Sequence, residues 1–131
     1  MRDVEARIAA LGLGDAVRWI GFVADRDALY GTLDIVAAPA IDEPFGLAVH
    51  EAGSDRLPVV VARFGAFPEL VEDGVNGLMF EPGCAEGCAQ ALQRLIDDPA
   101  LRRRLGDAGR VRVAAEFTIE KMATRFLAAL S

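Results

Sequence analysis

Residues 33–40 read LDIVAAPA, a nearly continuous apolar run between more polar segments. A strand that is buried on both faces of a parallel sheet has this composition, whereas a strand with one solvated face alternates apolar and polar residues. Two shorter runs, PVVVA at 58–62 and GLMF at 77–80, have the same character. The three runs predict the central strands of a parallel β-sheet.

Helical segments separate and follow these runs. A helix is predicted to begin near Gly46, a second to cover 85–97, and a third to have Pro99 in its first turn. Thr118 is a suitable N-cap for a final helix with a marked apolar face. Upstream, VRWIGFV at 17–23 predicts one more strand. Strands that alternate with helices predict an α/β fold, a Rossmann-like doubly wound parallel sheet.

Composition limits the possible classes of function. The 131 residues match the size of one domain, and 53% hydrophobic residues exclude disorder for most of the chain. A formal net charge of −6 disfavours nucleic acid as the main partner. No apolar run is long enough to span a bilayer, and the N-terminus does not resemble a signal peptide. Cys84 and Cys88 are too few for a disulfide framework, so we expect a cytoplasmic chain.

The segment after the first central strand, IDEPFGLAVHE at 41–51, is the candidate site. Ligands of open parallel sheets bind at the carboxyl ends of the strands. Gly46 would allow close approach of the backbone to a ligand, and N–H groups at the following helix start can meet an anion. Glu43 and Glu51 would offer acceptors to hydroxyl groups. Their spacing alone fits equally a pair of solvated acids, and we expect no metal site.

Several longer motifs occur in a fixed order along the chain. They are VRWIGFV, ALYGTLDIVAAPA, EPFGLAVHE, EAGSDRLPVVVA, FGAFPELVEDGVNGLMFEPG, LIDDPALRRRLGDAGR and EFTIEKMATRFL. Over 17–130 the chain therefore resembles the C-terminal, donor-binding domain of a GT-B glycosyltransferase. It is most similar to the retaining group called glycosyltransferase family 4, or glycosyl transferases group 1. This resemblance implies that residues 1–131 are part of a nucleotide-sugar-binding domain.

The resemblance assigns roles within the E-x7-E motif. Glu43 matches the catalytic glutamate that contacts the donor sugar. Phe45, Gly46 and Leu47 match the step whose backbone contacts sugar and phosphate, and Glu51 matches the glutamate that holds the ribose hydroxyls. Family members use a nucleoside diphosphate sugar as the donor substrate and need no cofactor. They usually need no metal.

The sequence departs from the family pattern in ways that affect its stability and its activity. The family's first two strands, which carry an Arg and a Lys for the diphosphate, have no counterpart here, and neither has the acceptor-binding domain. We expect another chain or segment to supply them, and no turnover by this chain alone. Three arrangements of residues 17–23 are then possible. The segment pairs with strands of that other chain, pairs directly beside the strand at 33–40, or packs only loosely against the rest of the domain. Arg56 replaces a usual glycine, so we expect a non-glycine residue in a left-handed conformation at the end of its helix. Gly53 replaces a usual larger apolar residue, which predicts weaker packing and lower propensity for that helix.

Two interpretations stay open beside the enzymatic one. The chain could be a non-catalytic remnant or an interaction module with the same architecture, because fold does not imply function.

A cluster of arginines lies on the penultimate helix. It predicts a solvated helix face whose side chains pair with nearby acids, and docking of a partner is the alternative. Its members are Arg102, Arg103, Arg104, Arg110 and Arg112.

Overall fold

A computed structural model describes residues 2–42, 44–116 and 118–130, and within them helices alternate with short strands. In chain order the elements are α1 (Arg2–Ala10), α2 (Arg26–Tyr30), β1 (Val36–Ala38), α3 (Leu47–Ser54), β2 (Val59–Ala62), α4 (Phe67–Leu70), β3 (Leu78–Phe80), α5 (Ala85–Asp97), α6 (Pro99–Glu116) and α7 (Ile119–Leu130).

The three strands form one parallel sheet in the order β1-β2-β3. Val36 aligns with Val59 between β1 and β2, and Val60 aligns with Leu78 between β2 and β3. The predicted parallel strands are therefore confirmed, although each is shorter than the apolar run that contains it. The sheet order makes β2 central and gives β1 and β3 one neighbour each within the described residues.

Strand β2 separates two hydrophobic clusters because its side chains alternate between the two faces of the sheet. Val59 and Val61 pack on one face with residues from α3 and α4. Val60 and Ala62 pack on the other face with residues from α5, α6 and β3. The sheet is thus covered on both sides, as a doubly wound arrangement requires.

Residues 17–23 are not a strand, and that prediction is wrong. The segment is irregular, no sheet pairing joins it to β1, and the Phe22 side chain is 95% exposed. Gly21 has φ +61, which interrupts the extended backbone that a strand needs. An apolar sequence does not form a strand by itself, since a strand also needs a neighbour for its N–H and C=O groups.

Helix α6 crosses α3 at a contact made possible by glycines. A Cβ on Gly53 would lie 2.6 Å from Val113 Cγ2 and 3.1 Å from the backbone oxygen of Gly109. A Cβ on Gly106 would overlap the backbone oxygen of Arg56. The prediction that Gly53 weakens the packing of its helix is therefore wrong, because its missing side chain is the space that α6 occupies.

The predicted left-handed conformation at the end of α3 is confirmed. Arg56 has φ +57 and follows the C-cap residue Asp55. Its side chain lies 3.6 Å from Asp107 on α6, and both side chains are more than 60% exposed. An exposed ion pair of this kind contributes little to stability, so the strain of a non-glycine residue is not offset by it.

Arg56→Gly is expected to raise the free energy of unfolding by up to about 1 kcal/mol, because glycine adopts positive φ without steric strain. The midpoint of a denaturant melt measures this. Asp107→Asn is the matched control, since it removes the ion pair and leaves the backbone conformation alone. A less stable Arg56→Gly chain would mean that the arginine side chain contributes more than its backbone conformation costs.

The arginine cluster of α6 binds backbone carbonyl groups more than nearby acids. Four of its side chains donate hydrogen bonds to carbonyls of other segments, and Arg112 also lies 3.9 Å from Glu116. The acceptors are the carbonyls of Leu95 and Ile96 for Arg102, Gly74 for Arg104, Ser54 for Arg110 and Glu69 for Arg112. The prediction of a face paired mainly with acids is corrected accordingly, since most of these side chains tie α6 to its neighbours.

Helix α7 has its predicted start but an exposed apolar face. The Thr118 hydroxyl oxygen accepts a hydrogen bond from the backbone N–H of Lys121, as an N-cap does. The apolar side chains of α7 are all more than half exposed, namely Ile119, Met122, Phe126, Leu127 and Leu130. In the described part of the chain, no helix combines the length and the apolar composition needed to cross a membrane.

Candidate functional site

The candidate site is the loop between β1 and α3, at the carboxyl edge of the sheet. Gly46 is the N-cap of α3 and has φ +65 and ψ +37, a left-handed conformation. Its Cα is buried, and an added Cβ would overlap Cδ1 of Leu70. The backbone conformation favours glycine at this position, and a larger residue would also have to displace the end of the Leu70 side chain.

The start of α3 presents backbone N–H groups to this edge. The N–H groups of Val49 and His50 bond to the Gly46 carbonyl at 3.0 and 3.3 Å. The N–H groups of Leu47 and Ala48 precede the first helical hydrogen bonds and so have no acceptor within α3. These groups, with the positive end of the helix dipole, give the edge the capacity to bind an anion.

The apolar side chains that flank the glycine are directed away from the core. Phe45 is 71% exposed and Leu47 is 63% exposed. Their burial therefore does not explain the loop conformation, which is fixed instead by Gly46 and its contact with Leu70. Solvent therefore has access to the side chains of Phe45 and Leu47, while Gly46 between them is buried.

Glu51 lies about one and a half turns into α3 and is partly buried. Its Oε2 atom accepts a hydrogen bond of 2.7 Å from the hydroxyl of Tyr30 on α2. A carboxylate has about four acceptor sites, so this bond leaves capacity for further hydroxyl groups. Glu51 can thus act as an oriented acceptor on the helix that begins at Gly46.

Glu43 lies outside the described residues. The structure brings together four of the five site residues that the sequence predicts: Phe45, Gly46 and Leu47 at the start of α3, and Glu51 further along the same helix. The sugar-contacting role of Glu43 stays a prediction from the motif.

His50 faces back toward the loop. Burial is the main influence on its imidazole and lowers its pKa, while a hydrogen bond with the backbone of Phe45 acts in the opposite direction. The side chain is therefore a half-buried contact between α3 and the loop. Its half-buried position supports a packing role.

The sequence analysis missed Tyr30, Arg26 and Asp55, which surround Glu51. The Arg26 guanidinium lies 5.1 Å from the centre of the Tyr30 ring and bonds to Asp55 Oδ2 at 2.9 Å. Arg26 and Tyr30 are four residues apart on α2, and Glu51 on α3 is four residues before Asp55, the C-cap residue of that helix. This spacing gives each helix two polar groups on one face, but only the fold brings the two faces together.

The sequence model of the family described as Glycosyl transferases group 1 matches residues 2–112. This chain belongs to that family. A curated relative, the MMP α-(1→4)-mannosyltransferase of Mycolicibacterium hassiacum, is 34% identical over 127 residues. That alignment covers 95% of this chain but 31% of the relative. The chain thus spans about a third of the length of this glycosyltransferase.

Several solved structures share the fold of this chain. HepE from Anabaena in complex with UDP is 30% identical with a TM-score of 0.91, over 98% of this chain and 36% of HepE. HepE has also been solved with UDP-glucose, with a TM-score of 0.89. The C-terminal domain of the group 1 protein LpcC from Francisella tularensis is 32% identical with a TM-score of 0.81, over 90% of this chain and 62% of that domain. The GT-B assignment of the fold is therefore confirmed.

Proposed function

We propose that this chain is the donor-binding part of a retaining glycosyltransferase and binds a nucleoside diphosphate sugar at the carboxyl edge of its sheet. The observation that carries the proposal is the arrangement of α3. Its start opens at a buried glycine in the left-handed conformation, and Glu51 on the same helix accepts a hydrogen bond from Tyr30. The UDP-bound and UDP-glucose-bound forms of HepE support the same class of ligand.

In this proposal, the start of α3 takes the diphosphate. The N–H groups of Leu47 and Ala48 donate to phosphate oxygens, and the helix dipole favours the negative charge. Since the charge on the diphosphate increases as the sugar leaves, the same groups stabilise the transition state as well as the bound donor. The side chains of Phe45 and Leu47, which flank the buried Gly46, are exposed to solvent.

Glu51 and Glu43 hold the two ends of the donor. The Glu51 carboxylate accepts hydrogen bonds from the ribose hydroxyls, because an ionised carboxylate offers only acceptors. Glu43 contacts the sugar from the other side of Gly46 along the chain. The eight-residue separation of the two acids thus matches a ligand with hydroxyl groups at both ends and a diphosphate between them.

We further propose that the complete enzyme acts in the cytoplasm and uses groups beyond these 131 residues. The family resemblance assigns an Arg and a Lys on the diphosphate, and an acceptor domain, to other segments. Domain closure positions the reactants and so supplies part of the rate enhancement. Donor binding, not sugar transfer, is therefore the activity expected of this chain alone.

Glu43→Ala is expected to weaken binding of UDP-glucose several-fold while leaving the affinity for UDP within about twofold, because only the sugar conjugate offers the hydroxyl groups that Glu43 would accept. Isothermal titration calorimetry with the two ligands measures the difference. Asp42→Ala is the matched control, since it removes the neighbouring carboxylate. An equal loss of affinity for both ligands would show that Glu43 maintains the loop conformation and does not contact the sugar.

A further inference from the structure

Two helices present complementary polar pairs to each other next to the candidate site. Arg26 on α2 donates a hydrogen bond of 2.9 Å to Asp55, the C-cap residue of α3, and Tyr30 on α2 donates one of 2.7 Å to Glu51 on α3. Each pair is four residues apart, which places its two members on one helix face. The two contacts therefore fix both the separation and the register of α2 against α3.

The Tyr30 ring is held from two sides. It packs against the hydrophobic cluster that includes Val49 and Ala52 of α3. On its other side, the Arg26 guanidinium lies 5.1 Å from the ring centre, within cation–π range. Arg26 in turn bonds to Asp27 and Asp55. A ring held in this way directs its hydroxyl at one point, which Glu51 Oε2 occupies.

Tyr30 is a hydrogen-bond donor over the whole physiological pH range. Burial, followed by the hydrogen bond to Glu51, raises the pKa of the Tyr30 hydroxyl to about 12. The hydroxyl therefore stays protonated, and the bond to the ionised carboxylate is charge-assisted and 2.7 Å long. Such a bond restricts the rotation of a glutamate side chain, which otherwise has several accessible rotamers.

We propose that Tyr30 is a positioning residue, whose hydroxyl holds the Glu51 carboxylate in the orientation that receives the ribose hydroxyls of a nucleoside diphosphate. This inference rests on the proposed function of Glu51. The Tyr30 hydroxyl uses one of the acceptor sites of the carboxylate and leaves the others for ligand. Orientation before binding increases affinity because less side-chain freedom is lost when the ligand arrives.

The test compares UDP with 2′,3′-dideoxy-UDP, which lacks both ribose hydroxyls, by calorimetry on the full chain. Tyr30→Phe keeps the ring and removes only the hydroxyl. We expect it to weaken UDP binding about threefold to tenfold, the effect of ordering one side chain, and to leave dideoxy-UDP within about twofold. Thr32→Val is the matched control, since the Thr32 hydroxyl bonds to the Leu29 carbonyl. It should change neither affinity.

The outcomes separate the positioning role from the proposed function. Suppose that the unaltered chain prefers UDP to dideoxy-UDP, that Glu51→Ala abolishes this preference, and that Tyr30→Phe leaves it unchanged. Glu51 then binds the ribose, and the positioning role of Tyr30 is refuted. If Tyr30→Phe weakens both ligands equally, Tyr30 supports the fold only, and the proposal is also refuted. If the unaltered chain binds the two ligands equally, the ribose role of Glu51 fails, and the role of Tyr30 fails with it.

Discussion

Glu51→Ala is expected to weaken binding of a nucleoside diphosphate by at least tenfold. The substitution removes two charge-assisted hydrogen bonds to ribose, each with a net contribution of about 1.5–3 kcal/mol. It also leaves the Tyr30 hydroxyl without the partner that it has in the structure. A loss of about 1.4 kcal/mol already corresponds to tenfold in the dissociation constant.

The matched control is Glu86→Ala. Glu86 lies on α5, whose side chains pack on the other face of the sheet, and its Oε1 atom accepts only an exposed hydrogen bond from Gln90. Calorimetry with UDP should therefore give the same dissociation constant for Glu86→Ala as for the unaltered chain. An unchanged constant for Glu51→Ala would contradict the ribose assignment.

Gly106→Ala is expected to lower the free energy of unfolding by about 3 kcal/mol or more. The new methyl group would overlap the backbone oxygen of Arg56, and backbone cannot rotate away as the end of a side chain can. Relief requires α6 to move away from the end of α3. That movement would also disturb the contact of Gly53 with Val113 and Gly109.

Gly109→Ala, one turn further along α6, is the matched control. A Cβ at Gly109 would lie 3.7 Å from its nearest neighbours, which is ordinary van der Waals contact. Alanine is also the better helix former, so the free energy of unfolding should stay the same or rise by up to about 1 kcal/mol. Denaturant melts of both variants measure the difference. Equal stability would refute the account of the α3–α6 contact.

Local sequence signals predict most of the elements. Helix α5 has the predicted bounds of 85–97, since its end is set by the Asp98–Pro99 step. Asp25 caps α2 by accepting a hydrogen bond from the Ala28 N–H, as its residue type predicts. The buried strand β2 follows from an apolar run that has no polar face. In each case a few adjacent residues carry the whole signal.

Properties that depend on distant segments could not be predicted in this way. Residues 17–23 have a strand-like composition, but strand formation needs a neighbour that local sequence does not specify. Gly53 has the low helix propensity expected of glycine, yet the approach of α6 requires it. In both cases a tertiary contact, or the lack of one within the described chain, outweighs the local preference.

The candidate site was predicted in part. The sequence identifies Gly46 through the close backbone approach that a ligand would need, while the structure adds a second reason, its positive φ and its contact with Leu70. Tyr30 could not be found from the sequence, because its link to Glu51 joins residues 21 positions apart. Only the packing of α2 against α3 brings the two together.

A basic cleft at the opposite edge of the sheet offers anions an alternative position. Its lining includes Asp34 and Pro58, which precede β1 and β2, together with Arg56, Arg102 and Arg103. Non-specific attraction of a diphosphate would favour this cleft, because it carries three guanidinium groups. A measurement of where the nucleotide binds therefore distinguishes specific binding at the start of α3 from non-specific charge attraction to this cleft.

Amide chemical shifts of the ¹⁵N-labelled chain during a titration with UDP test the central claim most directly. We predict that the largest changes occur in residues 45–51, at the carboxyl edge of the sheet, and at Tyr30, which bonds to Glu51. Residues 56–57 and 102–103 should change little. Saturable changes confined to the cleft at the opposite edge, or no changes at millimolar UDP, would contradict the claim that this chain binds a nucleoside diphosphate sugar through α3.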